Sequence, residues 1–171
     1  QLPASTSEAE LLKLLGLLNK DPSVDGILVQ MPIPAQISSK KILDAILPTK
    51  DADGLTPASA GLLWSGNPGV RPCTPQGVMH ILEHYKIKIA GQVAVVIGRS
   101  QIVGKPMAAM LLEKDATVIL CHSKTKDLEQ FTRQADIVIV AAGKPRFIGQ
   151  SAFKKGAVVV DVGIHGSGSG K

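Results

Sequence analysis

Apolar residues recur along residues 7–19 at a spacing that predicts an amphipathic helix. Ser7 with Glu10 has the sequence of a capping box, which places the start of the helix there. The pair Asp21-Pro22 ends it. The apolar face is broad and comprises Leu11, Leu12, Leu14, Leu15, Leu17 and Leu18.

A short, continuously apolar segment from Ile27 to Met31 is stopped by prolines and predicts a strand that is covered on both faces. Gln30 interrupts this segment, and a buried amide is unfavourable unless its hydrogen bonds are satisfied, so Gln30 is either a structural amide or a functional group. A second helix is predicted over about residues 39–46. In the polar loop PTKDADG that follows, Asp51 and Asp53 either make local turn hydrogen bonds or serve a ligand.

Residues 55–73 are rich in glycine and proline and show no clear period, so we expect the connection between two domains there. Thr74-Pro75 has the pattern of an N-cap followed by proline at the first helical position. The helix that begins there is predicted to run to about Tyr85. We therefore place the domains at residues 1–73 and 74–171.

Strands and helices alternate regularly from residue 92 onward. Four continuously apolar segments occur, with helical segments between the first three and a short turn before the last. This alternation is typical of a parallel sheet joined by right-handed crossovers, so the predicted fold class is α/β. The strands are predicted at VAVVI (93–97), ATVILC (116–121), DIVIVAA (136–142) and AVVVDVG (157–163), and the helices at about 104–113 and 126–134.

The composition excludes several classes of function. Among 171 residues, 44% are hydrophobic, and no apolar run approaches the roughly 18 residues of a membrane span. The net charge is +5, but scattered lysines and only one Trp, one Tyr and three Phe argue against a nucleic-acid surface. Two distant cysteines, Cys73 and Cys121, and an N-terminus without signal-peptide features favour a reduced compartment. We expect a cytoplasmic protein without nucleic-acid or membrane partners.

The segment GRSQIVGKP directly follows the strand at residues 93–97 and has the character of a phosphate-binding turn. Gly98 permits a tight turn, Arg99 and Ser100 follow it, and Gly104 lets the next helix approach with its free N–H groups. The spacing differs from the usual G-x-G-x-x-G, so a tight turn without a ligand is the alternative.

The second strand of this unit ends in CHSKT, without a carboxylate. An NAD-binding unit usually places Asp or Glu there to hold the ribose 2′-hydroxyl. A carboxylate would repel a 2′-phosphate, whereas Ser123, Lys124 and Arg99 could bind one. The predicted cofactor is therefore NADP, ahead of NAD.

Glycine-containing segments also follow two other strands of the predicted sheet. AAGKP (141–145) and DVGI (161–164) follow the third and fourth strands, where glycines either let the backbone approach a flat ring or simply make turns.

HILEH (80–84) matches the H-x-x-E-H pattern of some zinc proteases. Its histidines and glutamate should face solvent, because the apolar face of this helix comprises Val78, Ile81, Leu82 and Tyr85. No third ligand is evident, so no metal site is expected.

Six ordered motifs together resemble the methylenetetrahydrofolate dehydrogenase/methenyltetrahydrofolate cyclohydrolase family. They are VDGILVQMPIP, KDADG, PCTPQG, GRSQIVGKP, CHSKT and VVDVGI, and they cover the chain up to about Ile164. The resemblance implies a partial αβα folate-binding catalytic domain followed by a Rossmann-type NADP-binding domain with a parallel sheet. It implies NADP-dependent oxidation of 5,10-methylenetetrahydrofolate and hydrolysis of the product to 10-formyltetrahydrofolate, with places in one-carbon metabolism and purine biosynthesis. It also suggests a homodimer.

The resemblance assigns roles to single residues. Gln30 matches the glutamine that positions and tunes the catalytic lysine, and Asp53 matches the aspartate that holds the pterin ring, so both are candidate catalytic residues. The candidate residues for binding tetrahydrofolate derivatives are Val29, Gln30, Met31, Asp53 and Thr74. The candidate NADP-binding residues are Gly98, Arg99, Ser100, Ser123 and Ile164, the last beside the nicotinamide end.

The family's Tyr-x-x-x-Lys segment, which supplies the catalytic lysine, and its Pro-Gly-Gly-Val-Gly-Pro-Met-Thr segment are absent from the 171 residues. We therefore expect this chain to be a central part of the enzyme and to be inactive or nearly so by itself, because the hydrolysis needs the lysine's proton transfer. Two alternatives stay open. One is another NADP-dependent dehydrogenase of the shikimate-dehydrogenase-like type, against which VQMPIP and KDADG argue, and the other is a catalytically silent NADP-binding module.

Overall fold

The chain divides after Arg71 into two units, Gln1–Arg71 and Pro72–Lys171. The computed structural model describes residues 2–144 and 146–164. The first unit contains the helices α1 (Glu8–Lys20), α2 (Ser39–Ala45) and α3 (Pro57–Trp64), with a short 3₁₀ helix at Pro48–Lys50. The second contains α4 (Cys73–His84), β1 (Val93–Ile97), α5 (Gly104–Leu112), β2 (Thr117–Cys121), α6 (Leu128–Thr132), β3 (Ile137–Val140), a 3₁₀ helix at Gln150–Ala152 and β4 (Val158–Asp161).

The predicted capping box at the start of α1 is formed. The Ser7 hydroxyl accepts a hydrogen bond from the Glu10 N–H at 3.2 Å, and the Glu10 carboxylate accepts one from the Ser7 N–H at 2.8 Å. The buried face of α1 is narrower than its six leucines suggest, since only Leu11 and Leu15 are fully buried. They pack in one core cluster of the first unit with Ile27, Ile37, Ile42 and Ile46.

The predicted strand from Ile27 to Met31, covered on both faces, is wrong. Ile27 forms a single parallel bridge with Asp51, in which the Ile27 N–H donates to Lys50 O at 2.7 Å. Beyond Ile27 the segment pairs with no strand in the described part of the first unit. Leu28 is 53% exposed as a result. The Met31-Pro32 peptide bond is cis.

Helix α3 lies in the region where we expected the connection between the two domains. Thr56 caps it by accepting the Ser59 N–H on its side-chain oxygen at 3.3 Å, and Pro57 occupies its first turn. The hydrophobic period is absent because Ser59 and Leu63 are the residues that α3 buries completely. A helix whose buried positions include a serine leaves no amphipathic pattern in the sequence.

Helix α4 begins at Cys73, so Thr74 lies inside the helix and is not its N-cap, in contrast to the prediction. Pro72 takes the cap position without a side-chain hydrogen bond. The buried face consists of Pro75, Val78 and Leu82. Two residues predicted on that face are exposed, namely Ile81 at 45% and Tyr85 at 70%.

The second unit is built on a four-stranded sheet in the order β2-β1-β3-β4. All its pairings are parallel, with Ile97 beside Cys121 in β1–β2 and beside Val140 in β1–β3. β3 is buried along its whole length, and β1 is buried after its first residue, whereas the outer strands β2 and β4 contain exposed positions. The predicted α/β fold with a parallel sheet is confirmed.

The strand order fixes where this sheet can bind a ligand. From β1 the chain goes through α5 to β2 on one side, while β3 lies on the other side of β1. The carboxyl ends of β1 and β3 therefore meet at a topological switch point, which is where open α/β sheets bind ligands. Among the helices in the described ranges, none is both long and apolar enough to span a membrane.

The first unit's core gives a direct test of its packing. Leu15 is 1% exposed and Leu17, on the same helix, is 61% exposed. Leu15→Ala should destabilise this unit by about 2–5 kcal/mol because it leaves a cavity, whereas Leu17→Ala should change stability by about 0.5 kcal/mol or less. Urea unfolding followed by the fluorescence of Trp64, the single tryptophan and part of α3, measures both. Equal losses for the two variants would contradict this packing.

Candidate functional site

The turn after β1 requires glycine at its first position. Gly98 has φ +128°, and a Cβ added there would lie 2.6 Å from Ala141 O, just beyond β3. The Gly98 N–H donates to Cys121 O at 2.9 Å, at the end of β2. The backbone of Gly98 thus touches the ends of both neighbouring strands, which leaves no room for a side chain.

Gly104 brings the first turn of α5 against the same backbone. A Cβ at this position would lie 1.9 Å from Gly98 O and 2.9 Å from the Cα of Arg99. Only glycine permits this approach, as the sequence predicted. The N-terminal N–H groups of the nine-residue helix α5 therefore lie directly behind the turn, where an anionic group would be stabilised.

Ser100 holds the turn together, a role that the sequence analysis missed. Its hydroxyl oxygen accepts hydrogen bonds from the N–H groups of Val103 at 3.1 Å and Gly104 at 3.3 Å. The hydroxyl proton still remains available to a ligand. The signal in the sequence was a serine four residues before a helix start that has no other capping side chain.

Arg99 and Ser123 lie at the same edge of the sheet. Ile97 and Cys121 are paired at the ends of β1 and β2, and Arg99 and Ser123 each follow two residues later. Both side chains are exposed. Neither makes a hydrogen bond or ion pair with another residue in the described ranges, so both are open to a ligand.

The ends of β3 and β4 also adjoin. Gly143 has φ +60°, and a Cβ added there would lie 3.7 Å from Ile164 O. Ile164 itself is 92% exposed. The predicted segment AAGKP ends at Pro145, which lies outside the described residues.

In the first unit, Asp51 organises the KDADG loop. The residue is 5% exposed, and its carboxylate accepts hydrogen bonds from Leu55 N–H at 3.2 Å, Thr56 N–H at 2.8 Å and the Ser59 hydroxyl at 2.6 Å. Burial alone would raise the pKa of Asp51, but hydrogen bonds from Ser59, Thr56 and Leu55 together lower it below its ordinary value. Asp51 is therefore a structural acid, as the turn interpretation proposed.

Asp53 lies at the tip of the loop that Asp51 closes. It is half-buried, and no residue in the described ranges donates a hydrogen bond to its carboxylate. The next residue, Gly54, has φ +66°, and a Cβ there would lie 2.8 Å from Val70 O. The loop is thus fixed on both sides of a carboxylate that is left open.

Gln30 is not the buried amide that we predicted. Its side chain is exposed, and its Nε2 donates to Met31 O at 3.0 Å. The covered strand that implied its burial is not formed in the described part of the first unit. Val29 is half-buried and packs against the core of the first unit, and Met31 is half-buried as well. Thr74 is exposed in the first turn of α4 in the second unit.

The HILEH segment is exposed at His80, Glu83 and His84, as predicted. His80 Nδ1 lies 3.7 Å from Glu83 Oε2, a surface contact within one helix. Across residues 2–144 and 146–164, no group of three or more His, Cys, Asp or Glu side chains is arranged to hold a metal ion.

A parallel sheet with a glycine turn at its switch point defines a dinucleotide-binding domain. Residues 72–171 match the NAD(P)-binding domain of tetrahydrofolate dehydrogenase/cyclohydrolase, and residues 1–53 match the catalytic domain of the same family. The chain belongs to the tetrahydrofolate dehydrogenase/cyclohydrolase family, so the resemblance seen in its motifs is confirmed.

Individual relatives agree with this placement. The bifunctional protein FolD of Bdellovibrio bacteriovorus is 57% identical over 169 residues, which are 99% of this chain and 59% of that protein. The crystal structure of the bifunctional FolD methylenetetrahydrofolate dehydrogenase/cyclohydrolase from Campylobacter jejuni matches with a TM-score of 0.93 and 50% identity, over 99% of this chain and 61% of that one.

A third relative was solved with ligands. The Trypanosoma brucei methylenetetrahydrofolate dehydrogenase-cyclohydrolase, complexed with NADP cofactor and inhibitor, matches with a TM-score of 0.90 and 39% identity. The match covers 96% of this chain and 57% of that one. The present chain therefore spans about 60% of the length of the relatives that it matches.

The Asp51 network predicts an acid-sensitive first unit. Because the folded-state pKa of Asp51 is lowered, its stabilisation is present above the unfolded value of about 3.9 and is lost as the pH falls through the folded pKa. Asp51→Asn should cost about 2 kcal/mol at pH 7, since an amide nitrogen would replace one acceptor oxygen, and the difference from the wild type should vanish at low pH. Urea unfolding by Trp64 fluorescence across pH measures it.

The matched control is Asp25→Asn, which removes an exposed carboxylate from the same unit. It should leave stability within about 0.5 kcal/mol of the wild type at every pH. A difference between Asp51→Asn and the wild type that is constant from neutral to acid pH would exclude an ionised Asp51 as the acceptor.

Proposed function

We propose that this chain is part of an enzyme that oxidises 5,10-methylenetetrahydrofolate with NADP+ and hydrolyses the methenyl product to 10-formyltetrahydrofolate. The observation that carries the proposal is the Gly98–Gly104 turn, where two glycines bring strand and helix backbone together at the switch point of the sheet. Membership in the tetrahydrofolate dehydrogenase/cyclohydrolase family supports the substrate. The relatives named for this activity support both steps.

The proposed cofactor is NADP, because the end of β2 suits a 2′-phosphate. His122, Ser123, Lys124 and Thr125 follow β2 without any carboxylate. Arg99 and Ser123 are open at the same edge, as shown above, and can donate hydrogen bonds to phosphate oxygens. The Trypanosoma brucei relative was solved with NADP, which supports the same choice.

In this proposal the other cofactor-binding residues shape the remainder of the pocket. When bound, NADP+ would supply the acceptor for a hydride from the methylene carbon of the substrate. The positive end of α5 would stabilise the pyrophosphate beside Gly98, and Ser100 keeps that turn in place. Ile164, exposed beside Gly143, supplies an apolar surface and backbone groups for the nicotinamide end.

The folate-binding residues that we propose are Val29, Gln30, Met31, Asp53 and Thr74. The exposed amide of Gln30 and the open carboxylate of Asp53 are free to meet a polar ring such as a pterin. Asp53 can accept hydrogen bonds from the ring's N–H groups, since it has none from the described protein. Gln30 acts as a positioning group for a lysine in the complete enzyme.

Further parts of the proposal concern organisation. Residues 1–73 are a partial folate-binding catalytic domain and residues 74–171 the NADP-binding domain. The protein acts in the cytoplasm as a homodimer, within one-carbon metabolism and purine biosynthesis. That the 171 residues alone turn over little or no substrate stays a prediction.

Cofactor binding can be measured on the chain itself by isothermal titration calorimetry. The 171-residue protein should bind NADP+ more tightly than NAD+. Arg99→Ala should weaken NADP+ binding about tenfold or more and NAD+ binding much less, because the guanidinium contacts only the 2′-phosphate. Lys114→Ala is the control, since Lys114 is an exposed cation that follows α5, at the other end of the helix from the turn.

Equal losses for NADP+ and NAD+ in Arg99→Ala would remove the 2′-phosphate assignment. Absence of NADP+ binding by the wild type would exclude the cofactor site. It would also exclude the alternative of a catalytically silent NADP-binding module. NADP+ binding without any folate turnover in the complete protein would favour the silent module.

Turnover is tested on the protein encoded by the complete gene that contains this chain. It should reduce NADP+ with 5,10-methylenetetrahydrofolate and not with shikimate, as followed by NADPH absorbance. Asp53→Asn should lower kcat/KM for the folate by about tenfold or more while NADP+ binding is retained, because one hydrogen-bond acceptor for the ring is lost. Asp25→Asn should leave the rate unchanged. Activity with shikimate would favour the shikimate-dehydrogenase-like alternative.

A further inference from the structure

The residues after β2 form a closed turn around Ser123. The His122 N–H donates to the Thr125 hydroxyl oxygen at 2.8 Å, and the Thr125 N–H donates back to His122 O at 2.8 Å. The Lys124 N–H donates to His122 Nδ1 at 3.1 Å. Three hydrogen bonds therefore hold the four residues 122–125 together.

Ser123 takes no part in the three hydrogen bonds that close this turn. Its side chain is exposed and makes no hydrogen bond with another residue in the described ranges. The turn is closed on both sides of the Ser123 hydroxyl and N–H, so the backbone that carries these two donors is held in place. Such preorganisation reduces the conformational freedom that a ligand must remove on binding.

The turn follows directly on the last residue of β2. The thiol of Cys121, the last residue of β2, is 1% exposed. Burial raises the pKa of Cys121, and a hydrogen bond with the Thr125 side chain partly offsets that rise. Cys121 O in turn accepts the Gly98 N–H at 2.9 Å. The turn that Thr125 closes thus follows directly on the strand end that touches the cofactor turn.

We propose that Thr125 is a positioning residue that fixes Ser123 toward the 2′-phosphate and thereby sets the preference for NADP over NAD. The inference rests on the proposed function, because it assumes that NADP is bound at this edge. Thr125 does not touch the cofactor. It acts through the His122 N–H and through the closed shape of the turn.

The role of His122 follows from the same geometry. Its Nδ1 can accept the Lys124 N–H only when that nitrogen carries no proton, which leaves the proton on Nε2. The ring thereby fixes the backbone of Lys124 on the far side of Ser123. Both neighbours of Ser123 are thus restrained by side chains that lie within the turn itself.

The experiment compares Thr125→Val, Thr125→Ser and Thr117→Val in the 171-residue chain. Valine keeps the shape of threonine without the hydroxyl, and serine restores the hydroxyl. Thr117 is an exposed threonine at the other end of β2, so Thr117→Val is the matched control. Calorimetric titration with NADP+ and NAD+ gives both affinities, and thermal unfolding reports the state of the fold.

Thr125→Val should weaken NADP+ binding about tenfold and NAD+ binding less than about twofold, since the loss concerns hydrogen bonds to one charged group. Thr125→Ser and Thr117→Val should bind both nucleotides like the wild type. Thr125→Ala serves as the second variant without a hydroxyl if valine disturbs the turn, with the same expected loss of preference.

Three outcomes would overturn the inference. An unchanged ratio of NADP+ to NAD+ affinity in both variants without the hydroxyl would show that Thr125 does not set it, and parallel loss of both nucleotides would show a purely structural role. Failure of Thr125→Ser to restore the preference would show that the hydroxyl is not the relevant group. Failure of the wild type to bind NADP+ would instead exclude the proposed function, and the inference with it.

Discussion

Contact between bare backbone segments at the carboxyl edge of the sheet is the constraint on which the second unit depends. Gly98 lies against Ala141 at the end of β3, and Gly104 lies against Gly98 O at the start of α5. Any side chain at either position would separate the strand ends or push the helix away. The same two absent side chains let the positive end of α5 lie behind the turn, where it would stabilise the phosphates of a dinucleotide, so folding and binding impose one requirement on these positions.

The sequence predicted the second unit well because its information is local. β1 and β3 are buried on both faces, so each appears as a continuous apolar segment, and the glycines between strand and helix mark the turns. Arg99 and Ser123 could be assigned to one edge because parallel strands end together. The capping role of Ser100 was missed because the sequence shows only that a serine precedes a helix. It does not show that the serine hydroxyl accepts hydrogen bonds from two N–H groups.

The first unit was harder to predict, since its pattern depends on neighbours that a sequence does not show. An apolar segment such as Ile27 to Met31 looks alike whether one strand or two lie beside it, and here Ile27 alone pairs. Burial of Gln30 was inferred from the predicted covered strand. It is wrong because that strand is not formed and the Gln30 side chain is exposed. Helix α3 gave no period because it buries Ser59 against Asp51, a polar contact that hydrophobicity cannot reveal.

A common division of tasks emerges among the polar residues of both units. Asp51, Ser100 and Thr125 have side-chain acceptors occupied by neighbouring N–H groups, and each lies within a few residues of a side chain that is left open. The open side chains, Asp53, Arg99 and Ser123, have no hydrogen-bond partner in the described ranges. A side chain whose acceptor is occupied by protein N–H groups holds the backbone, and that backbone presents the neighbouring open side chain to a ligand. In such a loop one residue holds the backbone and another binds the ligand, and the loop tolerates substitution of neither. Only the binding residue would be found by tracing contacts to a ligand.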